Sequence, residues 1–293
     1  MKLATLNDGS RDGQLVVVSR DLTLALHASA IATRLQQVLD DWNFLSPQLE
    51  AVYATLNAGK ARHAFAFDPL LCMAPLPRCF EWAAGRGDHP PTAPLHTRSG
   101  NAWLGPRADI APADADAVLR CTPGLAVITG DIERGADATQ ALAGVRLLML
   151  VGDWTLRRDP AGEPAPAADP PPSHLATAAG PVAATPDELG ADWRDGRVRL
   201  PLQHRVNECS SGSSDADSRR AASFSLLLAQ LAQDRALRAG CVVGSLHTDG
   251  PEHDPLHTSD RICIELGTPV GQGLLGRIEQ HVGGTAARAD IGP

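Results

Sequence analysis

The 293-residue sequence has only two lysines, Lys2 and Lys60, and a single tyrosine, Tyr53, and aromatic residues make up just 4% of it. The other 24 basic residues are arginines, so a Schiff-base or general-base lysine would have to be one of those two. No run approaches eighteen apolar residues, which excludes a membrane-spanning helix. The first residues carry no long apolar stretch and reach an acid at Asp8, so no secretory signal is expected.

The formal net charge is −8, which gives no basic surface for nucleic acid or an anionic bilayer, and neither is expected as a partner. The six cysteines form no C-x-x-C pair; they are Cys72, Cys79, Cys121, Cys209, Cys241 and Cys263. In a chain without a signal sequence we interpret them as reduced thiols and expect a cytoplasmic protein.

The first part of the chain predicts a small α+β unit. The β-branched run at 14–19 indicates a strand, and apolar residues at helical spacing between Ile31 and Trp42 indicate a helix. Ser46 and Pro47 are typical of the N-cap and first position of a second helix, which should stop near Gly59.

The prolines at 73–78 favour an extended boundary, because each proline biases the preceding residue away from helix. We therefore predict an N-terminal domain over 1–73 and a β-rich second domain over 74–293. The Gly- and Pro-rich residues 84–124 predict loop. Asp137 with Gln140 predicts a capping box for one short helix.

Further along, two segments predict irregular structure. Proline and alanine dominate 159–184, which favours a surface loop or disordered insert, and the Ser/Asp-rich residues 208–220 predict loop. Regular elements are predicted at 125–130, 145–151, 197–202, 224–231, 241–243, 261–266 and 274–282, the last two as a possible hairpin. The predicted class is α+β.

Two motifs are poor guides to function. Residues 271–276 fit G-x-G-x-x-G, but only 17 residues follow, too few for the helix, strand and acid of a nucleotide site; a hairpin turn explains them better. His247, His253, Asp254 and His257 lie within eleven residues, and they are either a zinc site or, more in keeping with their irregular spacing, a solvated loop.

Five segments carry a resemblance to a known family. They are 1–20, with Lys2–Leu6 and Leu15–Arg20; Met73–Arg78; Ala126–Asp131; Leu150–Arg157; and Pro181–Gly190. In this order they resemble the fumarylacetoacetate hydrolase family in its bacterial two-domain form. The resemblance implies a small N-terminal domain followed by a mixed β-roll domain, and a homodimer. It also implies carboxylates that bind Mg²⁺ or Ca²⁺. The bound metal ion forms a chelate with a diketo or 2-keto acid, whose C–C bond is hydrolysed.

The resemblance also implies site residues. Asp153 stands at the last metal-ligand position, and Arg157 stands where the family has an arginine near the substrate. His174 stands at the position of the active-site lysine, and His247 aligns near the family's glycine–threonine turn. Asp153 is thus the candidate metal ligand, and Arg157, His174 and His247 are the candidate catalytic residues.

Other functional positions of the family are substituted. Thr122 and Gly124 stand in place of the metal-binding E-x-E, and Ala93 replaces a further aspartate. The family's H-x-x-E pair, which activates water, is also absent, because no histidine has glutamate three residues later. Three hypotheses follow. The protein is a degenerate family member that binds a metabolite or partner; or an active enzyme on a keto-acid-like substrate with a rebuilt site; or a structural subunit that pairs with an intact relative.

Overall fold

The computed structural model describes residues 1–86, 93–101, 103–111, 118–157, 173–207, 209–215, 223–247, 255–267 and 273–283. These residues form a mixed sheet of eleven strands, an antiparallel sheet of four and a two-stranded ribbon, with helices packed beside them. Among them no helix is long and apolar enough to cross a bilayer. The α+β class predicted from the sequence is confirmed.

The helices are α1 (Leu35–Asp40), α2 (Trp42–Asn57), α3 (Ala138–Ala143) and α4 (Phe224–Ala232), with 3₁₀ turns at Pro69–Leu71 and Pro186–Asp192. The strands of the first half are β1 (Lys2–Leu6), β2 (Gln14–Val18), β3 (Leu24–His27), β4 (Phe65–Ala66), β5 (Glu81–Arg86), β6 (His96–Arg98), β7 (Trp103–Leu104), β8 (Val118–Thr129) and β9 (Val145–Arg157). Those of the second half are β10 (Ser173–Ala184), β11 (Trp193–Arg194), β12 (Arg197–Val198), β13 (Pro201–Val206), β14 (Cys209–Asp215), β15 (Cys241–Leu246), β16 (Arg261–Leu266) and β17 (Arg277–His281).

The large sheet curls back on itself. Its strand order is β4-β3-β2-β1-β10-β9-β8-β15-β5-β6, and β7 pairs with β10 outside this path. Thr177 of β10 is in register with Asp153 of β9 on one side and with Trp103 of β7 on the other. Because β7 follows β6 after only a short connection, the chain leads from the β6 edge of the sheet back to β10. The result is a roll whose inner face collects side chains from strands far apart in sheet order.

The sheet runs across the predicted domain boundary. Strand β1 pairs with β10, and Lys2 lies opposite Ala184, so the N-terminal segment extends the sheet of the second part. Each of the two buried apolar clusters draws residues from both sides of residue 73. The division into 1–73 and 74–293 therefore stays a prediction, and the two parts share one hydrogen-bonded framework.

Several predicted elements are confirmed. Asp137 accepts hydrogen bonds from the backbone N–H groups of Thr139 and Gln140, and Gln140 bonds back to Asp137, which completes the capping box of α3. Strands β16 and β17 pair antiparallel as the predicted hairpin. Cysteines 72, 79, 121, 241 and 263 are free thiols, and the reduced state of all six cysteines stays a prediction.

Other predictions are wrong in their bounds. Helix α2 begins at Trp42, so Pro47 lies inside it and not at its first position; packing of Trp42 and Leu45 against the apolar cluster stabilises the additional turn. Strand β8 begins at Val118, within the region predicted as loop. It forms there because β9 offers a continuous partner from Arg157 back to Val145.

The two segments predicted as irregular contain strands. Of the Pro/Ala-rich insert at 159–184, residues 173–184 form β10, a central strand, and 159–172 lie outside the described residues. Alanine fits there because β1 and β9 pair with the two edges of the strand, and its small side chains are buried in the two apolar clusters. Within 208–220, residues 209–215 form β14, paired with β13. A polar strand is stable at this place because its backbone groups complete the ladder of the small sheet.

Lys2 gives this framework a pH dependence. Its side chain is buried and its Nζ donates to Arg20 O at 2.7 Å, and burial lowers the pKa of Lys2 to about 8 from 10.5. The unfolded lysine therefore holds a proton that the folded one loses between about pH 8 and 10.5, so stability rises with pH across that window. Below pH 8 the buried charge costs up to about 3 kcal/mol.

We expect the free energy of unfolding of the wild type, relative to Lys2→Met, to increase between pH 7.5 and 9.5 in urea titrations. The matched control is Lys60→Met, which changes the only other lysine, an exposed one. Relative to that variant the wild type should show no such increase, and equal slopes for both variants would contradict the prediction.

Candidate active site in the roll

Asp153 lies within β9 and is 1% exposed. In-register partners on neighbouring strands share a face of the sheet. Thr122 of β8 and Thr177 of β10 are the partners of Asp153, so their side chains flank it on the two sides. The position aligned with the first glutamate of the family's E-x-E thus does lie beside Asp153, but it carries a hydroxyl.

Arg98 supplies the cation next to this carboxylate. Its Nε and Nη2 lie 3.2 and 3.1 Å from Asp153 Oδ2, and its side chain is 15% exposed. Arg98 ends β6, which is four strands away from β9 in sheet order. Only the curl of the roll brings the two together. A buried carboxylate requires such a partner, because an unpaired charge in the interior is expensive.

His174 reaches the same carboxylate because β10 is irregular. The register shifts between His174 and Ala176, and a bulge of this kind re-aims side chains along a strand. Residues three apart would otherwise point to opposite faces, yet here His174 Nε2 lies 2.9 Å from Thr177 Oγ1 and 3.4 Å from Asp153 Oδ1.

The hydrogen-bond inventory assigns the imidazole tautomer. Trp82 Nε1 can only donate, and it lies 2.9 Å from Thr177 Oγ1. The Thr177 hydroxyl donates its one hydrogen to Asp153 Oδ1 at 3.2 Å. His174 Nε2 must then be the donor to Thr177, so that in a neutral ring Nδ1 would be the acceptor nitrogen. The threonine links indole, carboxylate and imidazole.

The nearby thiol is no nucleophile. Cys121 is in register with Trp154, the residue after Asp153, and is buried. Burial, together with the negative charge of Asp153, raises the pKa of Cys121 well above its ordinary value. The thiol therefore stays protonated, whereas nucleophilic chemistry requires the thiolate.

The residues at the family's metal position do not fit a divalent cation. Among the described residues no three His, Cys, Asp or Glu side chains cluster as a metal would need. Asp153, the carboxylate at this position, already pairs with the Arg98 guanidinium. The second E-x-E position cannot regain its side chain, because a Cβ on Gly124 would lie 2.6 Å from Ser245 O and 2.9 Å from Leu246 Cδ2.

The other two candidate catalytic residues lie at the ends of strands. Arg157 is half-buried at the end of β9, about 13 Å along the strand from Asp153 at 3.3 Å per residue. His247 is buried just after β15, and its backbone N–H donates to Pro123 O at 2.8 Å. Their catalytic roles stay predictions.

The histidine loop is only partly described. His257 is exposed whereas His247 is buried, and His253 and Asp254 lie outside the described residues. The zinc site considered for this loop therefore also stays a prediction.

Sequence reasoning missed Arg98. It sits in a segment that predicted loop, and no local pattern marks it. One indirect signal existed. An aspartate in a strongly apolar strand requires a buried cation as its partner, and since nearly all basic residues of this chain are arginines, an arginine beside Asp153 could have been predicted.

Comparisons with known proteins agree with this architecture. The family model "Fumarylacetoacetase N-terminal domain 2" matches residues 1–78, and "Fumarylacetoacetate (FAA) hydrolase C-terminal" matches residues 77–282. Together they span most of the sequence, so the chain belongs to the fumarylacetoacetate hydrolase family, and the resemblance seen in the sequence is confirmed. No curated protein matches the sequence significantly.

Solved structures show the same fold at low identity. The chain is similar to maleylpyruvate hydrolase from Sphingobium sp. SYK-6, with a TM-score of 0.72 and 17% identity over 97% of this chain and 100% of the other. A probable 2-hydroxyhepta-2,4-diene-1,7-dioate isomerase from Mycobacterium abscessus gives 0.71 and 19%, covering 98% and 100%. Fumarylacetoacetate hydrolase from Exiguobacterium antarcticum gives 0.66 and 17%, covering 97% and 99%. Divalent-metal dependence is general in the family, and the Sphingobium enzyme is also known with manganese and pyruvate.

Proposed function

We propose that this chain is a fumarylacetoacetate hydrolase family member that works without a divalent metal. It serves as a binding or partner protein and does not hydrolyse the C–C bond of diketo acids. The observation that carries the proposal is the Arg98–Asp153 pair at the family's metal position. A side-chain cation stands here beside the one remaining carboxylate.

Charge and coordination both oppose a metal at this place. Mg²⁺ dehydrates reluctantly and needs several oxygen ligands, usually with more than one negative charge. Asp153 offers one such charge, which Arg98 already balances, and the guanidinium would repel a second cation. The family's H-x-x-E pair is also absent from the sequence, and loss of an acid–base group alone costs about 10²–10⁴ in rate.

Calorimetric titration with Mg²⁺, Mn²⁺ and Zn²⁺ tests the proposal. We expect no saturable heat for Mg²⁺ or Mn²⁺ at millimolar concentration, and the same trace for wild type and Asp153→Ala. Zn²⁺ tests for a metal site in the loop that carries His247, His253 and His257, and the comparison there is between the wild type and His247→Ala. Saturable Mg²⁺ or Mn²⁺ binding that disappears in Asp153→Ala would defeat the proposal.

A second candidate, an enzyme with a rebuilt site, is favoured by the geometry of His174. Its Nε2–H is held by Thr177 and Asp153, so that in the neutral ring Nδ1 is the nitrogen that would remove a proton next to a keto group. The test uses NMR to measure deuterium incorporation into the methyl group of pyruvate in D₂O, with the wild type and His174→Ala. Exchange above the buffer rate that is lost in His174→Ala would favour this candidate over the first.

The keto-acid ligand, the homodimer and the heteromeric structural subunit remain predictions from the resemblance. Size-exclusion chromatography with light scattering, alone and after co-expression with an intact family member, separates the last two.

A further inference from the structure

A cavity of about 380 Å³ lies away from Asp153, where the N-terminal part meets the beginning of the second part. Its walls come from four segments: Asp12 in the β1–β2 connection, residues 34–36 at the start of α1, residues 76–80, and the β6–β7 turn at 100–101. We propose that this cavity binds a small, planar, apolar anion, with Arg78 as the anion's partner and Phe80 as its apolar cover.

The walls are mostly apolar. Leu35 and Leu76 are buried and close the inner side, and Pro77 adds a rigid ring. Phe80 borders the cavity and is 71% exposed, an unusual position for a large aromatic side chain. A cavity of this size is within the range of small-molecule sites, which combine apolar walls with a few placed polar groups.

Cys79 keeps this wall uncharged. Burial raises the pKa of its thiol to about 11, although Trp103 Nε1 donates to Sγ at 3.4 Å. The thiol is therefore neutral at physiological pH and behaves as an apolar surface. The same contact places an indole beside the cavity wall.

Arg78 is the cation of the cavity that an anionic ligand would use. Arg34 and Asp12 also line the cavity, but Arg34 is paired with Asp8 at 3.0 Å. Arg78 Nε and Nη2 bind the two Asp12 oxygens at 2.7 and 2.6 Å, the fork geometry that matches a planar carboxylate or sulfonate. This pair is exposed, at 52% and 39%, and exposed pairs contribute little stability. An anionic ligand can therefore replace Asp12 on Arg78 at small cost.

The probes are 8-anilinonaphthalene-1-sulfonate and N-phenyl-1-naphthylamine, which share the ring system and differ in the sulfonate. We expect saturable fluorescence enhancement with the anionic probe at one site per chain. Arg78→Gln should weaken that probe by about tenfold, since a charge-assisted contact is lost, and leave the neutral probe nearly unchanged. Phe80→Ser should weaken both probes. Phe44→Ser, which removes a 67% exposed aromatic from α2, is the matched control and should change neither.

Asp12→Asn distinguishes binding from a structural role. It breaks the same ion pair as Arg78→Gln, so a merely structural pair predicts that both variants weaken the probe. The proposal predicts opposite signs, with about threefold or more tighter binding of the anionic probe to Asp12→Asn, because Arg78 loses its internal competitor. Equal affinity in all variants, or loss in both Asp12→Asn and Arg78→Gln, would overturn the proposal. Thermal unfolding of each variant checks that the fold is intact.

Discussion

Arg98→Leu should lower the free energy of unfolding by about 3–5 kcal/mol, because it leaves the Asp153 carboxylate buried without a cation. Asp153→Leu should cost somewhat less, about 2–4 kcal/mol. The guanidinium of Arg98 is 15% exposed, whereas Asp153 is 1% exposed, so the arginine has more access to water once its partner is gone. Urea unfolding followed by circular dichroism gives both values.

The double variant Arg98→Leu/Asp153→Leu tests whether the two residues stabilise each other. Replacing a buried ion pair by apolar side chains of similar volume is often neutral, so the double variant should be more stable than Arg98→Leu alone. The two effects would then be coupled by at least about 2 kcal/mol. The exposed pair Arg78–Asp12 is the matched control, and its cycle should give less than about 1 kcal/mol. If the two substitutions changed the free energy of unfolding additively, Arg98 would not be the group that stabilises the buried Asp153 carboxylate.

The two double-mutant cycles also indicate why an aspartate is present at position 153. Coupling at Arg98–Asp153 would mean that the arginine compensates the aspartate energetically, in the way a bound cation would otherwise do. Asp153 is then retained for the fold, through Arg98, Thr177 and His174, and not for coordination. This connects the stability of the roll with the loss of metal proposed for the site.

The sequence predicted most of the scaffold because the strands and helices carry local patterns. The run from Val145 to Val151 and the capping box at Asp137 each required only neighbouring residues to interpret. β10 and β14 were missed for the opposite reason. β10 is rich in alanine and β14 in serine, so their sequences do not favour strands. They form strands because β9 pairs with β10 and β13 pairs with β14, and such tertiary pairing cannot be predicted from local residue preferences.

The site divides in the same way. Asp153 and His174 were predicted from their family positions, and the strand register places both on one inner face of the roll. Arg98 and Trp82 reach that face only because β6 and β5 curl over it, so no spacing in the sequence could reveal them. The bulge before Ala176, which turns His174 toward Thr177, is likewise a property of strand pairing and not of composition.

Trp82→Ala should be among the most destabilising single substitutions in the chain, at about 3–5 kcal/mol. Trp82 is fully buried, its ring packs 5.2 Å from that of Trp103, and its Nε1–H donates to Thr177 Oγ1. The change leaves a large cavity inside the roll and removes the donor that fixes the Thr177 hydroxyl. Trp82→Phe keeps most of the volume and should cost less, about 1–3 kcal/mol, chiefly for the lost hydrogen bond and the smaller ring.

Gly244 shows why the indole fits. A Cβ at this position would lie 2.2 Å from Trp82 Cη2 and 2.6 Å from Cζ3, so the absence of a side chain on β15 makes room for the ring. Gly244→Ala should therefore cost about 1–3 kcal/mol by overpacking, whereas in the Trp82→Ala background the same change fills part of the cavity and should be neutral or stabilising. Gly85→Ala is the control, since its Cβ would meet only flexible ends of Leu227 and Leu95 at 3.1 Å and should cost less than Gly244→Ala. If Gly244→Ala cost the same in both backgrounds, the complementarity of the glycine and the indole would not be what holds the inner face of the roll together.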